Sequence, residues 1–494
     1  LKKVTVIGSG FAGLSTACFL AQQGVEVTVI EKNDQAGGRA RVFREKGFTF
    51  DMGPSWYWMP DVFERFFNQF NTTTSDFYKL IRLDPSYQVI WDDETLGIPA
   101  NFQELQQLFE RIEPGAAGQL VKFLGEAGYK YHTSMSDLVF KPGLSITEYM
   151  SWDVAKSALR IDLLNSIHKH VRKYFSHPKL IQLAEFPILF LGALPKNTPA
   201  LYSMMNYADM KLGTWYPMGG MTEIVKAIAL LAKNLGVKFK FNESAVQLIV
   251  SNGSVVGVKT VSNNYVADAV VFACDYAHAD QNLTPIEYRN YTESYWESRK
   301  MAPSSLLYYI GLNKKVEGML HHNLMFDAPF AQHADELYTI PSWPKNPLMY
   351  ICCPSKTDSS VAPIGHENIF ALIPVAPGMA DNEAIREHYY DILMKRIEKR
   401  FGQDVRNNVV YQRSYAHNDF VTDYNAFKGN AYGLANTLQQ TAFMKPSIRN
   451  KKLKNLFYTG QLTVPGPGVP PALISGEIVA KEVSRLLKIK PTLV

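Results

Sequence analysis

Val4, Val6 and Ile7 form a short apolar run that breaks at Gly8-Ser9-Gly10-Phe11-Ala12-Gly13 and resumes at helical spacing with Leu14, Ala17, Cys18 and Ala21. This pattern predicts a buried strand over Lys3 to Ile7, then a helix that Gly24 ends. A second strand, Val25 to Ile30, finishes at Glu31. From about residue 100 to 230 helical periodicity dominates. Gly219-Gly220 predicts a turn ahead of an amphipathic helix, Thr222 to Leu235. Short strands follow at Val237 to Phe241, Ala245 to Val250, Val255 to Thr260, Tyr265 to Ala267 and Ala269 to Ala273. Strands return between about 300 and 375, with Leu306 to Ile310 and Phe370 to Pro374 the clearest. The last segment reads as a strand (Leu456 to Thr459), a Gly/Pro-rich loop and a helix from Leu473 to Leu487. There is no internal repeat. Alternation of this kind points to an α/β chain.

Composition narrows the class. In 494 residues, 46% are hydrophobic and 20% charged, which is a globular composition with room for more than one domain. The net charge of +5 is too mild to argue for nucleic acid, and no nucleic-acid motif is present. It suits loose contact with an anionic membrane surface. The four cysteines (Cys18, Cys274, Cys352, Cys353) lack CxxC spacing, so reduced thiols and a cytoplasmic setting are expected. No signal peptide is expected ahead of the first strand, and no run of about 18 apolar residues exists to cross a membrane. The nearest, Phe186 to Leu194, is too short and contains Pro187.

The glycine motif carries the first chemistry. Gly8-x-Gly10-x-x-Gly13 stands between a strand and a helix, the arrangement that brings a pyrophosphate to a helix N-terminus. Glu31 follows Gly13 by 18 residues, at the end of the second strand, where an acid accepts a ribose hydroxyl. Gly37-Gly38-Arg39 comes next: a loop that can lie on a nucleotide, with a guanidinium to neutralise phosphate. Near the other end, Gly460-Gln461 closes a strand, and Pro465-Gly466-Pro467-Gly468-Val469-Pro470-Pro471 leads into the last helix.

In this order the motifs resemble the flavin-containing amine oxidase superfamily. Within it the chain is similar, over essentially its full length, to the bacterial-type carotenoid (phytoene-type) desaturases. The most specific pieces are Val6 to Leu14, Gly37 to Ala40, Phe50 to Pro54, Gly213 to Gly220 and Thr459 to Pro471. The resemblance implies a Rossmann-type, amine-oxidase-like FAD-binding domain formed by 1–100, 230–290 and 441–494. This would interleave with an α+β domain, 101–229 and 291–440, that binds substrate and touches membrane. It implies FAD contacts from Gly8, Ser9, Gly10, Phe11, Ala12, Gly13, Glu31, Lys32, Gly38, Arg39, Gly53, Pro54, Ser55, Val246, Gly460, Gln461, Gly468, Val469 and Pro470. The Asp51 to Ser55 segment would approach the flavin ring. Many members carry an aspartate where this chain has Gln461. The implied reaction introduces C=C bonds into a hydrophobic carotenoid, either phytoene or a later hydroxylated or γ-carotene-type substrate of 3,4-desaturation. Hydride goes to flavin, and oxygen or a membrane quinone is the final acceptor.

Apolar clusters outside the motifs, Trp56 to Met59 and Phe186 to Phe190, suit a tunnel for a long hydrocarbon. Glu185 abuts the second cluster, where burial would raise its pKa, and is the candidate acid/base group. His168 and His170 are not at a metal-ligand helical spacing, and no metal is expected. The segment 168–194 mixes basic, aromatic and apolar residues and is the candidate for peripheral membrane attachment. Three other functions fit the same motifs. One is a carotenoid isomerase or saturase, another a flavin oxidase of amines or porphyrinogens. The third is a prenyl-lipid carrier of the Rab escort type, which the intact Gly8, Gly10, Gly13 and Glu31 disfavour.

Overall fold

The computed structural model describes residues 1–136, 138–149, 165–189, 194–437 and 439–489. The first apolar run forms strand β1 (Lys3–Ile7), followed by helix α1 (Phe11–Gln22) and strand β2 (Glu26–Ile30). These enter a parallel sheet of five strands: Leu456–Tyr458, Ala269–Phe272, β1, β2 and Lys238–Lys240, in that spatial order. Val6 pairs with Val271 on one side and Val29 on the other, and Val271 with Phe457. Strands from three distant stretches of sequence therefore build one sheet.

Helix α1 differs from the one-faced helix that its spacing suggests. Every residue from Phe11 to Leu20 is buried. The sheet covers one side, the helix Thr222–Asn234 a second and the last helix, Val469–Leu487, a third. A helix enclosed in this way must be apolar all round. Contact with the last helix is so close that a Cβ on Gly476 would sit 2.5 Å from the Ala12 carbonyl oxygen. That helix starts four residues earlier than its periodicity predicts, because Pro470 and Pro471 fit a first turn that has no N–H bonds to make.

A second sheet of seven strands runs in the order Val409–Tyr415, Ser304–Leu312, Glu367–Val375, Met349–Cys352, His322–Met325, Tyr87–Ile90, Thr95–Ile98. The last two strands fall within 1–100 but belong to this sheet rather than to the parallel one. All nine residues of Ser304–Leu312 are buried, because both faces are covered. Leu306, Tyr308 and Ile310 face the helix Glu383–Phe401 through Leu393 and Ile397. The alternate residues Leu307 and Tyr309 face the other way, into the core shared with α1. No described helix is long and apolar enough to cross a membrane.

Candidate functional site

Between the two sheets lies a cavity of about 730 Å³. Ile7, Ile30, Ala273 and Thr459 border it, so the cavity opens at the carboxyl ends of four parallel strands. That is where open α/β sheets take ligands. One part of its wall is polar and formed by backbone turns, while the rest is apolar.

The polar wall begins at the glycine motif. Gly8 has φ of +104°, and a Cβ there would stand 3.1 Å from the Ala273 carbonyl. A Cβ on Gly13 would lie 2.1 Å from Gly8 oxygen, so only glycine lets α1 start against the sheet. Gly10 is different: its Cβ would meet no protein atom within 4 Å, because it faces the cavity. Helix α1 opens there with no side-chain cap and no acid in its first turn. Its free N–H groups and positive end are left for an anion.

Glu31 and Lys32 line the same region. Glu31 already accepts four bonds: from the N–H and hydroxyl of Ser9 (2.9 and 2.7 Å) and from the N–H and side-chain amide of Asn33 (2.9 and 3.0 Å). A ribose hydroxyl must share this carboxylate by turning the Ser9 hydroxyl or the Asn33 amide aside. Lys32 donates to the Thr422 carbonyl at 2.6 Å.

Arg39 is a half-buried cation at the glycine turn. Burial pushes its guanidinium below its ordinary pKa, against the opposing pull of Asp275. One terminal nitrogen donates to the Asn430 carbonyl at 3.0 Å, while Nε is buried with no partner. Gln461, with its amide oxygen turned towards Arg39, accepts at 3.0 and 3.2 Å. At the position where many members of the superfamily carry an aspartate, a neutral amide here pairs with Arg39. Gly38, Gly53, Pro54, Ser55, Gly460, Gly468, Val469 and Pro470, all named as cofactor contacts from the sequence, border the cavity. The last helix aims its uncapped N-terminus at it, but Pro470 and Pro471 remove two of the N–H groups. An uncapped helix start, an unpaired buried Arg39 Nε and a glycine whose missing side chain opens onto the cavity together fit a bound dinucleotide pyrophosphate.

Three expected residues are not part of this wall: Gly13, which packs behind it against Gly8 and Ala273, Val246 and Glu185. Val246 is 44% exposed, and its neighbours Glu243, Ser244 and Ala245 border the cavity instead. Glu185 is buried, but it does not border the cavity. Its carboxylate receives Arg172 at 2.5 Å and lies 3.2 Å from His168 Nδ1. An apolar neighbourhood was expected to keep this acid available for proton work, and its pairing with Arg172 removes that premise. Residues unforeseen from sequence are Asn33, His278 and Tyr424, whose ring lies 5.2 Å from both Arg39 and Arg41. Tyr424 and His278 end short helices remote in sequence and Asn33 lies two residues beyond Glu31, and no local motif marks any of them.

The apolar wall draws Leu307, Phe370 and Leu372 from the seven-stranded sheet, and Trp56, Trp58 and Met59 from the predicted aromatic cluster. Leu201, Met204 and Met205 contribute from the helical region. Pro187 is the one described residue of the Phe186 cluster that borders it, and Phe190 lies outside the described residues. On this wall the Tyr350 hydroxyl donates to Ser55 Oγ at 2.9 Å.

Residues 11–484 match the family described as flavin containing amine oxidoreductase. The chain is 41% identical to the carotenoid 3,4-desaturase of Haloarcula japonica, with 97% of each chain covered. It is 28% identical to the zeta-carotene-forming phytoene desaturase of Myxococcus xanthus, over 97% of this chain and 93% of that one. A solved oxidoreductase of Methanosarcina mazei has the same fold, at a TM-score of 0.66 and 15% identity, covering 97% of this chain and all of that one.

Proposed function

The chain belongs to the flavin-containing amine oxidoreductase family, and from that membership we propose that it is an FAD-dependent carotenoid desaturase. The step we assign to it is 3,4-desaturation near one end of a long carotenoid. The observation that carries this reading is the joining of a dinucleotide wall and an apolar wall in a single cavity. Closer likeness to the 3,4-desaturase than to the phytoene desaturase supports the choice of step.

When bound, FAD supplies a two-electron acceptor for hydride from the substrate carbon. The chain's own residues bind, orient and exclude water. Leu307, Phe370, Leu372 and Met205 hold hydrocarbon and keep water from the reacting carbons. The Ser55 and Tyr350 hydroxyls, the polar pair on that wall, are neutral and keep no extra proton; they relay the one lost from the neighbouring carbon to solvent water. The terminal electron acceptor in this reading is oxygen or a membrane quinone. The test is pigment analysis in cells that make a hydroxylated acyclic or γ-carotene-type substrate, and separately in cells that make phytoene. A 3,4-desaturated product in the first is expected. Conversion of phytoene alone would reassign the step, and no product in either would remove the desaturase reading.

FAD is held without a covalent bond in this reading. Cys274 is the one cysteine bordering the cavity, and burial pushes its thiol well above the usual range, so no thiolate is available to attack the cofactor. Acid precipitation should leave all yellow colour in the supernatant. Colour retained in the pellet would contradict this.

Membrane contact from the cytoplasmic side completes the proposal. The segment 168–194 was the expected anchor, but Val171, Phe175, Leu180, Leu183 and Phe186 are buried, and 190–193 lie outside the described residues. It exposes Lys169 and Lys173 instead. Partly exposed apolar residues occur where the cavity meets the surface. Phe443 and Met444 border it and are each 38% exposed, and the adjoining loop exposes Leu144 and Ile146. Phe443→Asp combined with Met444→Asp should lower co-sedimentation with anionic liposomes roughly tenfold, because only the exposed third of each side chain, worth about 1.5–3 kcal/mol when buried whole, is left to insert. Unchanged sedimentation would move the anchor elsewhere.

A further inference from the structure

Behind the apolar wall lies a second cluster that the flavin chemistry does not use. His321, His322 and Cys352 are 5%, 0% and 2% exposed, and one ligand-capable atom from each lies within 4.8 Å of the others. The strand pairing places His322 directly opposite Cys352. His321 precedes that strand, and its ring meets the His322 ring at a centroid distance of 4.5 Å.

Both imidazoles are held by the same nitrogen. His321 Nδ1 is 2.8 Å from the Thr357 hydroxyl, and His322 Nδ1 is 2.7 Å from the Tyr350 hydroxyl. Tyr350 donates its own proton to Ser55, so His322 must donate its Nδ1–H to Tyr350. That leaves His322 Nε2 as a bare lone pair. Nε2 of both rings is buried without a hydrogen-bond partner. Outer hydroxyls fixing Nδ1 while Nε2 points free is how proteins prepare histidines to bind metal. Burial holds both rings neutral, His321 being pushed down to about 3. Trp56 stacks on His322 at 4.1 Å and 9°, which fixes the plane of that ring. A separate small cavity of about 20 Å³, bordered by Asp51, Tyr216, His321 and Cys352, adjoins the cluster and has room for one more ligand atom.

We propose that His321, His322 and Cys352 bind a single thiophilic d¹⁰ cation, Zn²⁺, with the fourth position open to this small cavity. Two imidazoles and one thiolate match the ligand preference of that ion. Ligand atoms around zinc stand about 3.3–3.8 Å apart at ordinary bond lengths, so binding draws the three side chains inward by small shifts. Cys352 gives up its proton on binding. The ion links the strand His322–Met325, the strand Met349–Cys352 and the Trp56 wall, and so braces the cavity from behind. The sequence alone gives little hint of this, since adjacent histidines and a cysteine 30 residues on match no spacing rule.

The test uses the full-length, flavin-loaded protein. Purified with added Zn²⁺ and dialysed, it should retain about one zinc per chain by elemental analysis. Exchange for Co²⁺ should produce a thiolate-to-cobalt charge-transfer band, with ligand-field bands to the red of the flavin spectrum. Cys352→Ser should abolish the charge-transfer band, and His321→Gln should lower retained metal at least tenfold. Cys353→Ser is the control, because that thiol bonds Glu367 on the other face of the strand, and it should keep both signals. If a variant fails to fold, zinc-edge absorption on the parent still decides the matter, with one sulfur and two imidazole nitrogens expected. Retained metal below about a tenth of an equivalent with no cobalt band overturns the site. So does metal that survives both substitutions, or an absorption edge without sulfur.

Discussion

Gly10→Ala is expected to yield a folded protein that has lost its flavin. Gly10 has φ of −68° and ψ of 176°, extended values that alanine adopts without strain. The new Cβ meets no protein atom within 4 Å, so stability of the apoprotein should be unchanged or slightly raised. What the methyl does occupy is the space in front of the free N–H groups of α1. Displacing a pyrophosphate from two charge-assisted bonds, each worth about 1.5–3 kcal/mol, weakens binding by about 10²–10⁴-fold. Gly13→Ala is the contrasting case. Its Cβ would collide with Gly8 oxygen at 2.1 Å and press on Ala273 at 3.0 Å, so folding itself should suffer. Flavin content after gel filtration, read beside the thermal midpoint, separates the two. If Gly10→Ala keeps its flavin, the cavity in front of α1 is not the phosphate site.

Met205→Trp is expected to have the opposite signature, with flavin retained and desaturation cut roughly 10²-fold. Met205 is half-buried and borders the cavity on its apolar side, apart from the glycine turns that hold the dinucleotide. A larger ring there takes up space meant for hydrocarbon, and misplacing a substrate by about 1 Å costs about 10²-fold in rate. Anaerobic flavin bleaching by carotenoid, measured against a normal flavin stoichiometry, reads the effect. Bleaching at the parent rate would show that substrate does not pass Met205. Loss of flavin would show that the two walls are not separate in function.

The parts of this site legible in the sequence are those made by backbone. A turn that must pass close to a strand needs glycine, so Gly8, Gly10 and Gly13 announce themselves locally, as do Gly37 and Gly38. Strand and helix periods around them are equally local, which explains why β1, α1, β2 and the helix Thr222–Asn234 lie where the pattern puts them. Side chains that act through a distant partner leave no such trace. Glu185 looked like a solitary acid in an apolar run, because Arg172 and His168 are 13 and 17 residues upstream on another helix. Tyr424 reaches Arg39 across almost 400 residues, and nothing near either announces the other. Likewise, Tyr87–Ile90 reads as an ordinary strand, and only its pairing with Asn323–Met325 decides which sheet it joins.

The order of strands in the parallel sheet also constrains how the molecule is made. Its neighbours in space are residues 3–7, 26–30, 238–240, 269–272 and 456–458. Helix α1, buried on every side, has its third cover supplied only by residues 469–487. A ribosome therefore extrudes nearly the whole polypeptide before the amino-terminal turn can be packed or can grip a nucleotide. Until then the apolar flank of α1 and the hydrocarbon-facing strands are open to water and to one another. So high a contact order predicts slow maturation and dependence on holdase chaperones during synthesis. It also makes cofactor capture a late event, one that reports that translation has reached the final helix.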